Sequence, residues 1–441
     1  MHLTDAEIDA WPPEHLPASG DPRAPLCESL ARHGQFGPRQ LAGRAFAMAC
    51  VALEITQRCN LDCTLCYLSE RAEAVHDLPL AEIRRRIARI RAFYGPGTTV
   101  QVTGGDPTLR KADDLVEIVR SVRAEGLRAA LFTNGIRATR PLLVRLAAAG
   151  LQDVAFHVDL TQERAGFPTE MALAEIRADY LARARGLGLR VIFNTTIFDG
   201  NRAEIPALAR WFRDRAAEIT MASFQLQAET GRGVAGGRET PFGPTDVAEA
   251  IQAGLGVALD FGALEAGHSE CNRAAAIAVM GSATAPLHDR ALMSELVPAL
   301  AAAKGDQDWN DGARTLRAGI RAALGRPRLA FRAVSAALRL AARLAPGIGH
   351  RPARLSFMIH NFMDAGALDR ARCEACVFMT MTARGPISMC LHNARRDAHV
   401  LAPLTLPDGQ RWHPETGGAE PGPVHIPPKR QKGRARAARP G

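Results

Sequence analysis

Strand-like and helix-like segments alternate along much of this 441-residue chain. Polar and cysteine residues gather just after the strand-like segments. Together these features predict an α/β fold, a partial (β/α)6 barrel with a helical insertion and a small C-terminal cysteine-containing domain. Residues 1–46 show no strong period and carry Pro12, Pro13 and Pro17, so they read as an irregular or partly helical extension. From Ala47 the alternation begins. Val51–Thr56 is a strand, Leu80–Tyr94 an arginine-rich helix and Thr99–Thr103 the second strand. Ala112–Glu125 is helical, Arg128–Thr133 a strand, and Asn134-Gly135 its turn. Arg140–Ala149 and Met171–Leu187 are helices around the strand Asp153–Val158. Arg190–Thr196 and Ala222–Gln227 are strands flanking the helix Ala203–Ala217. Six such units are too few for a closed eight-stranded barrel, and sites in parallel folds lie beyond the strand C-termini.

The expected organisation is an extension over 1–46, a core over 47–236 and a helical region over 237–355. An auxiliary cysteine region over 356–412 and a basic tail over 413–441 follow. In the helical region, Arg326–Leu344 puts Phe331, Val334, Leu338 and Ala341 on one face. Arg328, Arg332, Arg339 and Arg343 lie on the other. Such a helix can lie on anionic lipid. The commoner arrangement, expected here, packs the apolar stripe on the protein itself.

The chemistry is concentrated in Glu54-Ile-Thr-Gln-Arg-Cys-Asn-Leu-Asp-Cys-Thr-Leu-Cys-Tyr67, where Cys59, Cys63 and Cys66 form a C-x3-C-x2-C run. Zinc sites usually take their cysteines in C-x2-C pairs and need four ligands. Three thiolates from one loop instead suit an iron–sulfur cluster whose fourth iron is open to a substrate or cofactor. Further on stands Val100-Gln-Val-Thr-Gly-Gly-Asp-Pro-Thr-Leu109, in which Gly104 and Gly105 permit close backbone approach and Asp106 offers an acceptor.

These two segments resemble the radical S-adenosylmethionine (SAM) enzymes. That family has this cysteine spacing, an aromatic beside the last cysteine (Tyr67 here), and a Gly-Gly-Glu-Pro segment after the second strand. The resemblance covers roughly residues 47–232. It implies an open (β/α)6 barrel, a [4Fe–4S] cluster on Cys59, Cys63 and Cys66, and SAM chelated by the open iron. Asp106 and the backbone of Gly104 and Gly105 would hold the SAM ammonium, with an acid one methylene shorter than the family's. It further implies reductive cleavage of SAM to a 5′-deoxyadenosyl radical, which abstracts hydrogen from an unactivated carbon. A flavodoxin- or ferredoxin-type donor would supply the electron. By position after strands four to six, Asp159, Asn194 and Gln225 are candidate SAM contacts, with His157, Thr196 and Gln227 beside them.

A second cysteine group comprises Cys271, the pair Cys373-Glu-Ala-Cys376, and Cys390. Four thiolates close a [4Fe–4S] or a zinc site. Beside a first cluster, an auxiliary [4Fe–4S] cluster is the favoured reading and structural zinc the alternative. His268-x2-Cys271, His360-Asn-Phe-Met-Asp364 and the order ending at Asn393 resemble the branch of tetraether lipid synthases and pterin-methylating radical SAM enzymes. That branch often carries paired N-terminal cysteines, whereas only Cys27 stands in that region here, so no N-terminal metal site is expected. The expected substrate is a small or lipid-like molecule, methylated or coupled through carbon. A peptide-modifying maturase and a non-enzymatic iron–sulfur or zinc protein that binds nucleic acid are the rivals.

Composition narrows the setting. The start is polar and acidic, without a secretory signal, and no apolar run is long enough for a membrane span. Nine cysteines without a signal point to a reducing cytoplasm and to metal ligation. The net charge of +9 is mostly local. Lys429, Arg430, Lys432, Arg434, Arg436 and Arg439 lie between Pro427 and Gly441, a stretch with no acidic residue. A solvated, disordered tail is expected there rather than a specific nucleic-acid arm.

Overall fold

The computed structural model describes residues 2–12, 14–16, 20–235, 241–302 and 312–418. The basic tail beyond residue 418 lies outside them. Strands β1 (Cys50–Thr56), β2 (Thr99–Gly104), β3 (Arg128–Thr133), β4 (Asp153–His157), β5 (Arg190–Ile197) and β6 (Met221–Leu226) fall where the alternation predicts them. They pair in parallel, in chain order. Each is rich in β-branched and aliphatic residues, and β1 is buried along its whole length, as a strand covered on both faces requires.

Short helices α1 (Asp5–Asp9) and α2 (Ala24–Arg32) form in the N-terminal extension. The crossover helices are α3 (Leu80–Tyr94), α4 (Ala112–Ala124), α5 (Arg140–Ala148), α6 (Ala174–Ala184) and α7 (Ile205–Arg213). In α3, Ile83, Ile87 and Ile90 repeat at helical spacing and are buried against the sheet. The expected helix Met171–Leu187 is shorter because residues 171–173 are a turn and Leu187 follows a break at Arg185.

The stretch expected to be helical is mixed. After α8 (Pro244–Leu255) come β7 (Asn272–Met280) and β8 (Ala283–Pro286), then α9 (Arg290–Ala302), α10 (Gly312–Leu324) and α11 (Pro327–Leu344). β9 (Ala353–His360) then pairs parallel to β6 and antiparallel to β7. β10 (Phe378–Met381) pairs parallel to β1 and antiparallel to β11 (Pro386–Ser388). The result is one eleven-stranded sheet with eight consecutive parallel strands, from β10 through β1–β6 to β9. The C-terminal cysteine region therefore contributes strands to the same sheet as the core. Helices α12 (Arg370–Glu374), α13 (Met389–Ala394) and α14 (Arg396–Val400) follow, with a small hairpin of β12 (Leu404–Thr405) and β13 (Arg411–Trp412).

Flat, those eight strands would hold their outer members ~34 Å apart at the usual spacing. Instead, the His360 ring at the end of β9 meets the Phe378 ring at the start of β10, with centroids 4.9 Å apart. The sheet is curled almost closed.

The expectation for α11 is overturned. Phe331, Val334 and Leu338 do not pack on the protein but are 73%, 58% and 66% exposed. The neighbouring face, with Leu329 and Leu344, is the buried one.

Candidate functional site

The cysteine loop leaves β1 and is clasped at once by the turn that leaves β2. The Gly105 amide donates to the Thr56 carbonyl at 3.0 Å, and the Asp106 amide donates to the Arg58 carbonyl at 2.8 Å. Both glycines are dictated by this approach. Gly104 has φ +131°, and a Cβ there would lie 1.9 Å from the Thr56 carbonyl oxygen. At Gly105 a Cβ would lie 2.1 Å from that of Arg58. The Tyr67 hydroxyl donates to the Gly104 carbonyl at 2.7 Å, which closes the clasp from the far side of the loop.

Asp106 has a different job from the one expected. It is fully buried, and its Oδ1 accepts from the Thr108 amide and hydroxyl. Its Oδ2 accepts from the Thr133 hydroxyl and the Asn134 amide, both at 2.8 Å. With four bonds directed into the protein, this carboxylate ties the β2 turn to the end of β3 and is not an open acceptor. Groups left to face a ligand at this turn are backbone ones.

Burial pushes the thiols of Cys59, Cys63 and Cys66 up, and neighbouring negative charge adds to it: Asp106 at Cys59, Asp159 at Cys63, and Asp62 at Cys66. Cys63 feels the charge of both other cysteines, so the three are close neighbours. Amides of Leu61 and Asn60 point at Cys59 and that of Leu68 at Cys66, ready to stabilise sulfur anions. Thiols this reluctant to ionise in isolation need a metal's positive charge to displace their protons. Among the described residues, no three His, Cys, Asp or Glu side chains converge on the position of a single metal ion. A single zinc ion needs all its ligands within about 2.0–2.3 Å, whereas a cluster spreads its thiolates over several irons.

Candidates beyond strands four to six come together in one network. His157 Nε2 lies 2.6 Å from Asp159 Oδ2, and Asn194 Nδ2 lies 3.0 Å from His157 Nδ1 and 3.3 Å from Gln225 Oε1. The Ser223 hydroxyl donates to Asn194 Oδ1 at 2.7 Å. Asp159 is fully buried and also accepts from the Thr196 amide at 2.8 Å. Burial would raise its carboxyl, but His157 and the donors around it hold it down to about 2. His157 is correspondingly raised, Asp159 outweighing burial. Asp159, like Asp106, is an internal tie. His157, Asn194 and Gln225 are only partly buried and offer the polar surface of this network. Gln227 is buried at the end of the sixth strand.

Several contributors were not singled out from sequence. Arg396 Nη1 donates to both oxygens of the buried Glu54 at 2.7 and 2.9 Å, and its Nη2 donates to Asn393 Oδ1 at 2.7 Å. Its guanidinium also stacks over the Tyr67 ring, 4.6 Å from the centroid. Gly231 and Gly233 lie against the loop, where the Gly233 amide donates to the Cys66 carbonyl at 3.1 Å. Arg232 pairs with Asp62 at 3.1 Å. Asn134 Nδ2 lies 3.8 Å from Cys59 Sγ. The Gly231-Arg-Gly233 triplet soon after β6 was the available signal.

The second cysteine group also gathers. Cys271 precedes β7, Cys373 is in α12, Cys376 follows it and Cys390 is in α13. Burial raises all four thiols, Cys271 to about 11, and the charge of Cys376 opposes ionisation of the other three. Arg372 Nε donates to Cys271 Sγ at 3.2 Å, and the Met363 amide to Cys390 Sγ at 3.5 Å. Leu3 and Ile8 of the N-terminal segment cover Cys373 and Cys390 in one apolar cluster with Met363, Leu368 and Leu391. His360 bonds Asn272 Oδ1 at 2.9 Å, and His392 is buried near Glu54.

Comparison with known proteins agrees with this geometry. Residues 53–212 match the model of the radical SAM superfamily. The Fe-coproporphyrin III synthase of Methanosarcina barkeri is 31% identical over 165 residues, 36% of this chain and 39% of that protein. The 7,8-dihydro-6-hydroxymethylpterin dimethyltransferase of Methanocaldococcus jannaschii is 28% identical over 189 residues, 41% of this chain and 36% of that one. The PqqA peptide cyclase of Xanthomonas campestris pv. campestris is 31% identical over 170 residues, 36% and 42% of the two chains. The chain thus spans about two fifths of the length of these relatives. Among solved structures, methylornithine synthase overlaps 57% of this chain and 73% of its own at 17% identity and a TM-score of 0.37, a slight likeness. The segment 53–212, with the cysteine loop at its start, is thus what this chain shares with the radical SAM superfamily.

Proposed function

We propose that this chain is a radical SAM enzyme that activates an unactivated C–H bond of a small or lipid-like substrate, for methylation or carbon–carbon coupling. The observation that carries the reading is the clasp of the Gly104–Asp106 turn onto the cysteine loop, inside the segment that matches the family. The donor set fits a [4Fe–4S] cluster: three thiols on one loop, amides aimed at two of the sulfurs, and a glycine cradle that a Cβ would fill. Cys59, Cys63 and Cys66 would hold three irons and leave the fourth open to SAM. When bound, the pair supplies reductive cleavage of SAM to a carbon radical that takes hydrogen from substrate.

The chain's own residues have positioning roles. Gly104 and Gly105 let backbone come within reach of the SAM ammonium, while Asp106 fixes the turn that presents it. His157, Asn194 and Gln225 line the approach with donors and acceptors for the polar parts of SAM, and Asp159 holds the His157 ring still. Arg396 braces Tyr67 and Glu54 behind the loop. Cys271, Cys373, Cys376 and Cys390 are assigned to an auxiliary [4Fe–4S] cluster, with zinc as the alternative occupant. A flavodoxin or ferredoxin is the expected reductant.

Anaerobically reconstituted, reduced protein should release 5′-deoxyadenosine from SAM, measured by chromatography. A Cys59, Cys63, Cys66 triple-alanine variant that still released it would sink the assignment. Iron content should fall by about half in a Cys373→Ala/Cys376→Ala variant if four thiolates hold a second cluster. Unchanged iron with zinc present would assign the second group to zinc.

A further inference from the structure

A cavity of about 1190 Å³ lies apart from the cysteine loop. Its walls include residues at the N-terminal starts of the strands (Thr99 of β2, Met221 of β6, Phe378 of β10) and helices α9, α10 and α11. None of Cys59, Cys63, Cys66, Asp159, Asn194 or Gln225 lines it. It is larger than the ~300–1,000 Å³ of ordinary small-molecule sites, and its walls are mainly aliphatic. Leu316, Ile320, Leu324 and Val334 line it and yet are 65%, 54%, 81% and 58% exposed, so they stand at an open mouth.

That mouth carries a distinctive surface. Leu316, Ile320 and Leu324 repeat every fourth residue along α10, and Phe331, Val334 and Leu338 follow at spacings of three and four on α11. Seven of the ten large apolar side chains exposed among the described residues are on these helices or just after them, at Ile348. From residue 312 to 354 the chain has ten arginines and no acidic residue. Arg332 and Arg339 pair with Glu295 and Asp289 of the preceding segment. Arg317, Arg321, Arg328 and Arg343 are exposed and have no ion-pair partner among the described residues. Inside, His288 lines the cavity with a buried Nδ1 that has no hydrogen-bond partner among the described residues, in a mainly apolar wall.

We propose that α10 and α11 dock on an anionic bilayer, and that the cavity beneath them takes up the apolar chain of a lipid drawn from it. An exposed apolar face flanked by an excess of arginine matches a negatively charged lipid surface, whose headgroups attract the cations while the side chains enter the acyl boundary. A second copy of this chain is a poor occupant, because it would bring the same positive charge to the interface. No described helix is long and apolar enough to cross a membrane, so the contact is peripheral.

The full chain should pellet with vesicles of phosphatidylcholine and phosphatidylglycerol but little with phosphatidylcholine alone, and added salt should weaken the binding. Phe331→Asp/Leu338→Asp should lower partitioning about tenfold or more, as should Arg317→Glu/Arg328→Glu, with unchanged circular dichroism. These side chains are exposed, so neither pair disturbs the core. Both variants should keep SAM cleavage, so the docking claim stands or falls separately from the proposed chemistry. Failure to pellet with anionic vesicles, or equal pelleting of wild type and both variants, overturns the proposal. So does concentration-dependent self-association that Phe331→Asp/Leu338→Asp abolishes without any vesicle binding, which would assign the face to a second copy.

Discussion

Arg396 and Glu54 form a buried ion pair directly behind the cysteine loop. Burial would push the Glu54 carboxyl up, but Arg396 and His392 outweigh it and hold it down to about 2, against an ordinary 4.5. A carboxylate depressed by folding adds stability that is full above its unfolded value and is lost as pH falls through the folded one. Glu54 should therefore contribute ~3 kcal/mol at neutral pH, lost between its ordinary 4.5 and about 2. Arg396→Met leaves the charge buried without its arginine partner, with an expected cost of about 3–5 kcal/mol near neutrality. Its pH dependence should also invert, since acidification then neutralises an unpaired carboxylate. Urea unfolding of both proteins at about pH 7, 5 and 3 checks both expectations. Gly105→Ala puts a methyl group on the Arg58 carbonyl, and backbone must move to admit it. A loss of about 1–3 kcal/mol and a weaker hold on iron are expected, read from the unfolding midpoint and iron content. The cysteines and glycines were legible because spacing along a single loop defines them. Arg396 was not, because its partners come from β1 and nothing local marks a distant pair. Asp106 misled because residue type shows an acceptor but not which donors already occupy it.

The first six strands were legible because each is a short β-rich run beside a clear helix period. β7 was not. Asn272-Arg-Ala-Ala-Ala-Ile-Ala-Val-Met280 is rich in alanine, a strong helix former, and local propensity favours the wrong element. Pairing with β9 on one side and β8 on the other overrides it. β9 itself carries Phe357, fully buried and stacked on Phe224 of β6 with centroids 6.3 Å apart. Phe357→Ala should cost about 3–5 kcal/mol in denaturant unfolding, because the cavity left between strands cannot collapse. On α11 the apolar period was visible in sequence, yet period alone cannot tell a face turned to the core from one turned to solvent. In the N-terminal segment, the capping box of Thr4 and Glu7 starts α1, whose Ile8 seals the second cysteine group. Ile8→Asp should speed the reaction of those thiols with a dithiobenzoate reagent while leaving SAM cleavage measurable.

The sheet joins distant parts of the chain. β10 covers the edge of β1, with Cys50 in register with Phe378, and Arg396 follows beyond β11 and α13. A chain ending at Val377 should lose soluble expression and iron together, which fractionation and iron analysis would show, since it strips both the edge strand and the brace behind the loop.

The pairing of β1 with β10 also sets an order of manufacture. β1 leaves the ribosome early, whereas its partner arrives more than three hundred residues later, on the order of tens of seconds at ordinary translation rates. Throughout that interval an apolar strand has one bare hydrogen-bonding edge, next to a loop of reactive thiols. Until that partner arrives, the nascent chain suits a chaperone that shields strand edges.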